Sequence, residues 1–265
     1  MPCLVMGVLN VTPDSFFDGG RYFDPDSAIA HGLDLVAEGA HLVDVGGEST
    51  RPGAAPVGQD EELRRVLPVV EALAPYVRVS IDTTKRRVAE AALERGASFV
   101  NDESCRLAPV AAAAGAGLVV MHMQGAPPDM QRDPRYRDVV AEVHGTLARA
   151  AADAHEAGVA EVLVDPGIGF GKTTAHNLAL LRALPELVAA GEPVLVGTSR
   201  KSFIGRILAG EGREPLPPDS RFEGSLATAV LAASFGAAMV RVHDVRPTVH
   251  ALRLVGEPCA TGGTR

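Results

Sequence analysis

The chain has 265 residues, and its 25 Lys and Arg against 33 Asp and Glu give a formal net charge of −8. That balance excludes a global attraction to nucleic acid or to an anionic membrane surface, so any anion it binds must be gripped locally. With 46% hydrophobic residues, no Trp, 8 Phe and 3 Tyr, the composition predicts a folded Ala, Val and Leu core and excludes an extended aromatic platform for single-stranded nucleic acid.

Short β-branched runs bounded by Gly, Asn or Asp alternate along the chain with longer Ala- and Leu-rich segments of helical period. Strands are predicted over 4–9, 41–45, 77–81, 98–100, 118–121, 162–164, 194–197 and 239–242. A helix is predicted after each one, over 25–38, 60–73, 85–95, 108–114, 134–157, 175–189, 221–235 and 245–255. Eight strand-helix units in about 250 residues match a single α/β domain, a (β/α)8 TIM barrel, more economically than an open doubly wound sheet. Residues 1–258 are assigned to the barrel and 259–265 to a flexible tail. Three Gly-, Pro- or polar-rich loops stand out, over 10–24, 46–59 and 209–219, and the first two lie where barrel enzymes carry lids.

Cys3, Cys105 and Cys259 are an odd, widely spaced set, which predicts neither a disulfide framework nor a zinc site. The chain starts without a basic leader, and the charge-free stretches 107–128 and 224–240 are broken by Gly, His, Pro, Ser and Thr. A cytoplasmic protein without membrane contact is expected.

In a TIM barrel the site is assembled at the carboxyl ends of the strands. Every predicted strand here ends in polar residues: Asn10; Asp44 and Glu48; Asp82; Asn101 and Asp102; His122; Asp165; Ser199, Arg200 and Lys201; Arg241, His243 and Asp244. A single such residue is as well explained as a turn former or helix cap, but a full set is not. Familiar catalytic patterns fail. Gly167-Ile168-Gly169-Phe170-Gly171-Lys172-Thr173 ends like a Walker loop, yet Pro166 stands where its first glycine is required; His155-Glu156 lacks a second His; Ser199 lacks the closing Gly of a nucleophile elbow. What remains is an acidic and amide group, Asp82, Asn101 and Asp165, able to pair with N–H donors and acceptors on the edge of a flat polar heterocycle. Lys201, Arg241 and His243 lie where barrel loops 7 and 8 commonly hold phosphate, although Arg200 and Arg241 would also serve as salt-bridge partners.

The strings Asn10-Val11-Thr12-Pro13-Asp14-Ser15-Phe16, Gly46-Gly47-Glu48-Ser49-Thr50-Arg51-Pro52-Gly53 and Ser80-Ile81-Asp82-Thr83 resemble the dihydropteroate synthase family. Asn101-Asp102, Met121-His122-Met123-Gln124-Gly125, Asp165-Pro166-Gly167-Ile168-Gly169-Phe170, Ser199-Arg200-Lys201 and Arg241-Val242-His243-Asp244 continue the likeness in the same order. The resemblance implies a transferase that joins 4-aminobenzoate to (7,8-dihydropterin-6-yl)methyl diphosphate, loses diphosphate through a pterin-stabilised cation, and is a target of sulfonamides. It implies that Asp82, Asn101, Asp165 and Lys201 hold the pterin, and that Asn10 with Mg2+, Thr50, Arg241 and His243 hold the diphosphate. Asp14, Phe16, Asp18, Arg51, Pro52, Phe170 and Ser202, with Lys201, would form the closing loops and aminobenzoate pocket. A homodimer is a further expectation of the family.

Two departures flank this site: Glu103-Ser104-Cys105-Arg106 stands where the family often has small, Gly-containing sequence, and Phe17 replaces a frequent Ser. A related pterin-dependent methyltransferase domain is the main competing enzyme, but it has no diphosphate to hold. A non-catalytic pterin-binding paralogue is the competitor of another class.

Overall fold

The computed structural model describes residues 3–12, 25–49, 56–126 and 129–256. Eight parallel strands are found: β1 Leu4–Asn10, β2 Leu42–Gly46, β3 Arg78–Asp82, β4 Phe99–Asp102, β5 Gly117–Met121, β6 Val162–Asp165, β7 Leu195–Val196 and β8 Met239–Val242. Their order in the sheet, β6-β5-β4-β3-β2-β1-β8-β7, is sequential around a ring. A parallel bridge from Val164 to Val194 and the bond from Val164 N–H to Pro193 O at 3.0 Å join the two ends, closing the expected (β/α)8 barrel. Among the described residues no helix is long and apolar enough to cross a membrane.

Side chains alternate between the two faces of each strand, and this period of two sets what the barrel holds. Outward-facing Val and Ile residues such as Val43, Val45, Val79 and Ile81 pack under the helices and are fully buried. Inward, at the amino-terminal end, Met6, Leu42, Phe99, Val119, Leu163, Leu195 and Met239 form a separate apolar plug. Two residues further along the same strands, the inward positions become Asp44, Asn101, Asp165 and Arg241. The barrel floor is thus packed hydrocarbon and its mouth is ionic.

The helices are α1 Pro25–Ala37, α2 Gln59–Leu73, α3 Arg86–Glu94, α4 Ala108–Ala113, α5 Val139–Glu156, α6 Thr174–Arg182, α7 Leu184–Ala189, α8 Ser202–Ala209, α9 Phe222–Ser234 and α10 Val245–Gly256. Three differ from the sequence-based expectation. Helix α5 starts five residues later than 134, because the Asp138 carboxylate caps it by accepting the Val140 and Ala141 N–H groups at 3.0 Å each. The segment predicted as one helix over 175–189 is split into α6 and α7, with Pro185 in the first turn of the second. An unforeseen helix, α8, follows β7 directly, and the excursion 210–221 folds back on it. Leu216 N–H donates to Gly205 O at 3.1 Å, and a Cβ on Gly205 would meet Arg221 Nε at 2.5 Å. Residues 13–24 of the first predicted loop and 50–55 of the second lie outside the described residues, and with them Asp14, Phe16, Phe17, Asp18, Thr50, Arg51 and Pro52, as do Cys259 and the tail.

Candidate active site

The acidic wall and the basic rim meet at the end of β7. A Cβ built on Gly197 would lie 3.7 Å from Arg241 Cβ and 3.9 Å from Asp165 Oδ2, so the carboxylate of β6 and the arginine of β8 flank one glycine. Arg241 then reaches across the barrel: its Nε donates to Asp44 Oδ2 at 2.6 Å and its Nη2 to Asp82 Oδ2 at 2.7 Å. Asn101 Nδ2 donates to the same Asp44 oxygen at 3.0 Å. The Arg241 guanidinium therefore ties β8 to β2 and β3, and Asp44 extends the link to β4. Sequence-expected Asp82, Asn101, Asp165 and Arg241 are brought together, with Asp44 as their common anchor.

Burial opposes every charge in this cluster, and the neighbours decide which survive. The Asp82 carboxyl is held well above the usual range by burial and by Asp44, with Arg241 opposing. Asp165 is also raised by burial, while the Gly167 N–H, which donates to its Oδ1 at 2.7 Å, and the Lys201 and Arg241 charges pull it back. Burial works against the Arg241 charge, but Asp44 and Asp82 outweigh it and hold the guanidinium above its ordinary value. Lys201 is pulled down to about 8 by burial, with Asp165 opposing. Its Nζ lies 3.8 Å from the centroid of the Phe170 ring, a cation over an aromatic face that walls the pocket. Ser202, next in the chain, opens α8.

At the rim, His243 Nδ1 pairs with Ser199 Oγ at 2.9 Å, which fixes the imidazole at the end of β8. Asn10 ends β1, half-buried, in register with Gly46. Other polar strand-end residues face elsewhere. The Arg200 side chain pairs with Asp244 at 2.9 Å, the salt-bridge role allowed for it above. Asp102 caps the following loop, accepting the N–H groups of Ser104, Arg106 and Leu107. Glu48 is held by Lys85, which also binds Glu62 on α2. His122 pairs through its Nδ1 with Lys172 Nζ at 2.9 Å.

Sequence reasoning gave no site role to Asp44 or Lys172 and saw Glu103 only as a departure. Asp44 was signalled by its period-two spacing from inward-facing Leu42. Glu103, 9% exposed, directly follows β4, and its charge acts on Asp82, Lys201 and Arg241. Among the described residues no group of three or more His, Cys, Asp or Glu is arranged to hold a metal ion.

A model of the pterin-binding enzyme family matches residues 6–243. The chain belongs to this family. Within the pterin-binding enzymes, it is 53% identical over 264 residues to a dihydropteroate synthase of Mycobacterium leprae, covering 96% of this chain and 93% of the relative. Solved structures agree: a Yersinia pestis dihydropteroate synthase with a sulfonamide drug complex superposes with a TM-score of 0.89 at 45% identity, covering 96% of this chain and 94% of that one. The Xanthomonas albilineans enzyme in complex with 7,8-dihydropteroate does so with a TM-score of 0.84 at 45% identity, covering 96% and 93%.

Proposed function

We propose that this pterin-binding enzyme is a dihydropteroate synthase, condensing 4-aminobenzoate with (7,8-dihydropterin-6-yl)methyl diphosphate to give 7,8-dihydropteroate and diphosphate. The carrying observation is the meeting of Asp165 and Arg241 at Gly197, in a chain this similar to dihydropteroate synthases. A carboxylate that accepts ring N–H groups and a cation facing the departing anion then touch one substrate. The methyltransferase alternative has no use for that cationic rim.

The bond between the pterin methylene and the diphosphate oxygen breaks, and its electron pair leaves with the diphosphate. The electron-rich ring delocalises the resulting cation, the aminobenzoate nitrogen attacks the methylene, and that nitrogen loses a proton. No protein nucleophile is needed. Asp165 and Asn101 fix the ring edge, Asp82 is held by Arg241 beside them, and Lys201 supplies a donor that its depressed pKa keeps easily exchangeable. Phe170 walls the reacting carbon from water, which matters because water would intercept the cation. Arg241, His243 and Thr50 are assigned to the leaving diphosphate, whose growing charge a fixed cationic rim stabilises. The aminobenzoate pocket is assigned to Phe170, Lys201 and Ser202 with the loop residues Asp14, Phe16, Asp18, Arg51 and Pro52.

Mg2+ is proposed to arrive with the diphosphate, Asn10 supplying one neutral oxygen ligand. That donor set fits an ion that takes one or two protein oxygens and fills its shell with phosphate and water. It would neutralise charge on the leaving group. A homodimer is proposed as well, and exposed Ile207 and Leu208 on α8 with Phe222 and Leu231 on α9 support it; sedimentation should give twice the 27.6 kDa chain mass.

The test is diphosphate release at controlled Mg2+. Release that requires both substrates supports the proposal, whereas tight pterin binding without release identifies a non-catalytic binder.

A further inference from the structure

The eight residues from Asp165 to Lys172 bring Asp165 and Phe170 to the pocket, and their backbone groups are taken up almost one by one. Gly167 N–H goes to Asp165, Gly169 N–H to the Asn177 side chain at 2.8 Å, and Phe170 N–H to Gly167 O at 3.0 Å. Tyr136 Oη donates to Gly171 O at 2.9 Å. The centre of the loop is Lys172. Its Nζ, on a residue only 3% exposed, donates to Gly167 O and Phe170 O at 2.9 Å each, and to His122 O at 3.2 Å. It also meets His122 Nδ1 at 2.9 Å. Burial pulls the Lys172 amine down to about 7, with Asp165 opposing; in its charged form it has three N–H groups for these four atoms, so one is shared, and the imidazole then accepts at Nδ1 and carries its proton on Nε2.

The glycines let the loop come this close to the chain after β5. At Gly167, φ is +65° and a Cβ would fall 1.8 Å from His122 O; at Gly171, φ is +60° and a Cβ would fall 2.2 Å from Gln124 O. Carbonyl dipoles converging on one buried point repel unless a cation lies among them.

We propose that Lys172 is a positioning residue for the pterin site: through Gly167, whose C=O it holds and whose N–H lies in the preceding peptide, it orients the Asp165 carboxylate, and through Phe170 O it seats the ring that covers Lys201. Two consecutive hydrogen bonds make the connection, from Lys172 Nζ to Gly167 O and from Gly167 N–H to Asp165 Oδ1. Lys172 itself touches no substrate. This role rests on the pterin reading of the site. It also accounts for the Walker-like lysine, which binds carbonyls of its own loop in place of phosphate.

A double-mutant cycle tests the role, with 6-hydroxymethylpterin as the probe and calorimetry as the readout. In the wild-type background Asp165→Asn is expected to weaken binding by about tenfold or more, as for one lost charge-assisted contact. In the Lys172→Met background the same change is expected to cost less than about threefold, because the carboxylate is no longer held in place. Tyr136→Phe, which releases only Gly171 O, is expected to leave the full Asp165→Asn penalty. If Lys172→Met does not fold, Lys172→Gln takes its place in the cycle. The His122 imidazole, held down to about 4 by burial and then by the Lys172 charge, is expected to titrate higher in the Lys172 variant. Penalties that simply multiply, or that vanish equally in Tyr136→Phe, overturn the positioning role while leaving the pterin site intact. A wild-type protein that does not bind the probe overturns both.

Discussion

Arg241→Leu should destabilise the fold far more than loss of a surface charge. The Arg241 side chain is 19% exposed, and its partners Asp44 and Asp82 are 0% and 14% exposed. After the change Asp44 keeps only the Asn101 bond at 3.0 Å, and its Oδ1 has no partner among the described residues. Removing one member of a buried ion pair costs about 3–5 kcal/mol, because the stranded charge stays buried. For a chain of this size that is a fall in Tm of roughly 6–20 °C. Urea unfolding at pH 7.5 measures the cost directly. The penalty should shrink toward pH 5: without the guanidinium, the Asp82 carboxyl in the folded state takes up a proton more readily than in the unfolded chain. The folded variant is therefore stabilised as pH falls through that raised pKa. Replacing Asp44 by Asn as well should recover part of the loss. A cost below about 1 kcal/mol, the worth of an exposed pair, or one independent of pH, would refute the account of the mouth.

Glu103→Gln should move the alkaline limb of pterin binding, set by Lys201 at about 8, to lower pH, because Glu103 supports the Lys201 charge; a limb that stays or moves up would contradict this. Gly167→Ala should cost more than about 2 kcal/mol, since a left-handed φ and a backbone oxygen 1.8 Å away leave no relaxed position, whereas Gly145→Ala inside α5 should add about 0.5–1 kcal/mol of stability; chemical denaturation of both checks the pair. Chelating Mg2+ should weaken binding of the pterin diphosphate but leave 6-hydroxymethylpterin unaffected in calorimetry.

The barrel was legible because its strands are continuous apolar runs covered on both faces, a pattern that leaves little choice of element. All eight strands lie within two residues of their expected bounds, even β7, whose ladder is only Leu195 and Val196. Helix α8 was hidden for physical reasons: it is eight residues long, begins after Lys201 without a side-chain cap, and contains Gly205. The residue types of the mouth could be read from the strand ends, but not their partners. Nothing in the chain announces that Arg241 will meet Asp44, 197 positions away. Lys172 was visible only as a lysine after three spaced glycines, and its inward turn depends on His122, which directly follows the neighbouring strand β5.

The account turns on a carboxylate that reads N–H groups on a bound ring. Calorimetry comparing a pterin with the analogue lacking its 2-amino group puts this to the test most directly. Wild-type protein should prefer the pterin by about ten- to a hundredfold, and Asp165→Asn should lose most of that preference. An Asp165→Asn variant that discriminates as well as the wild type would contradict it.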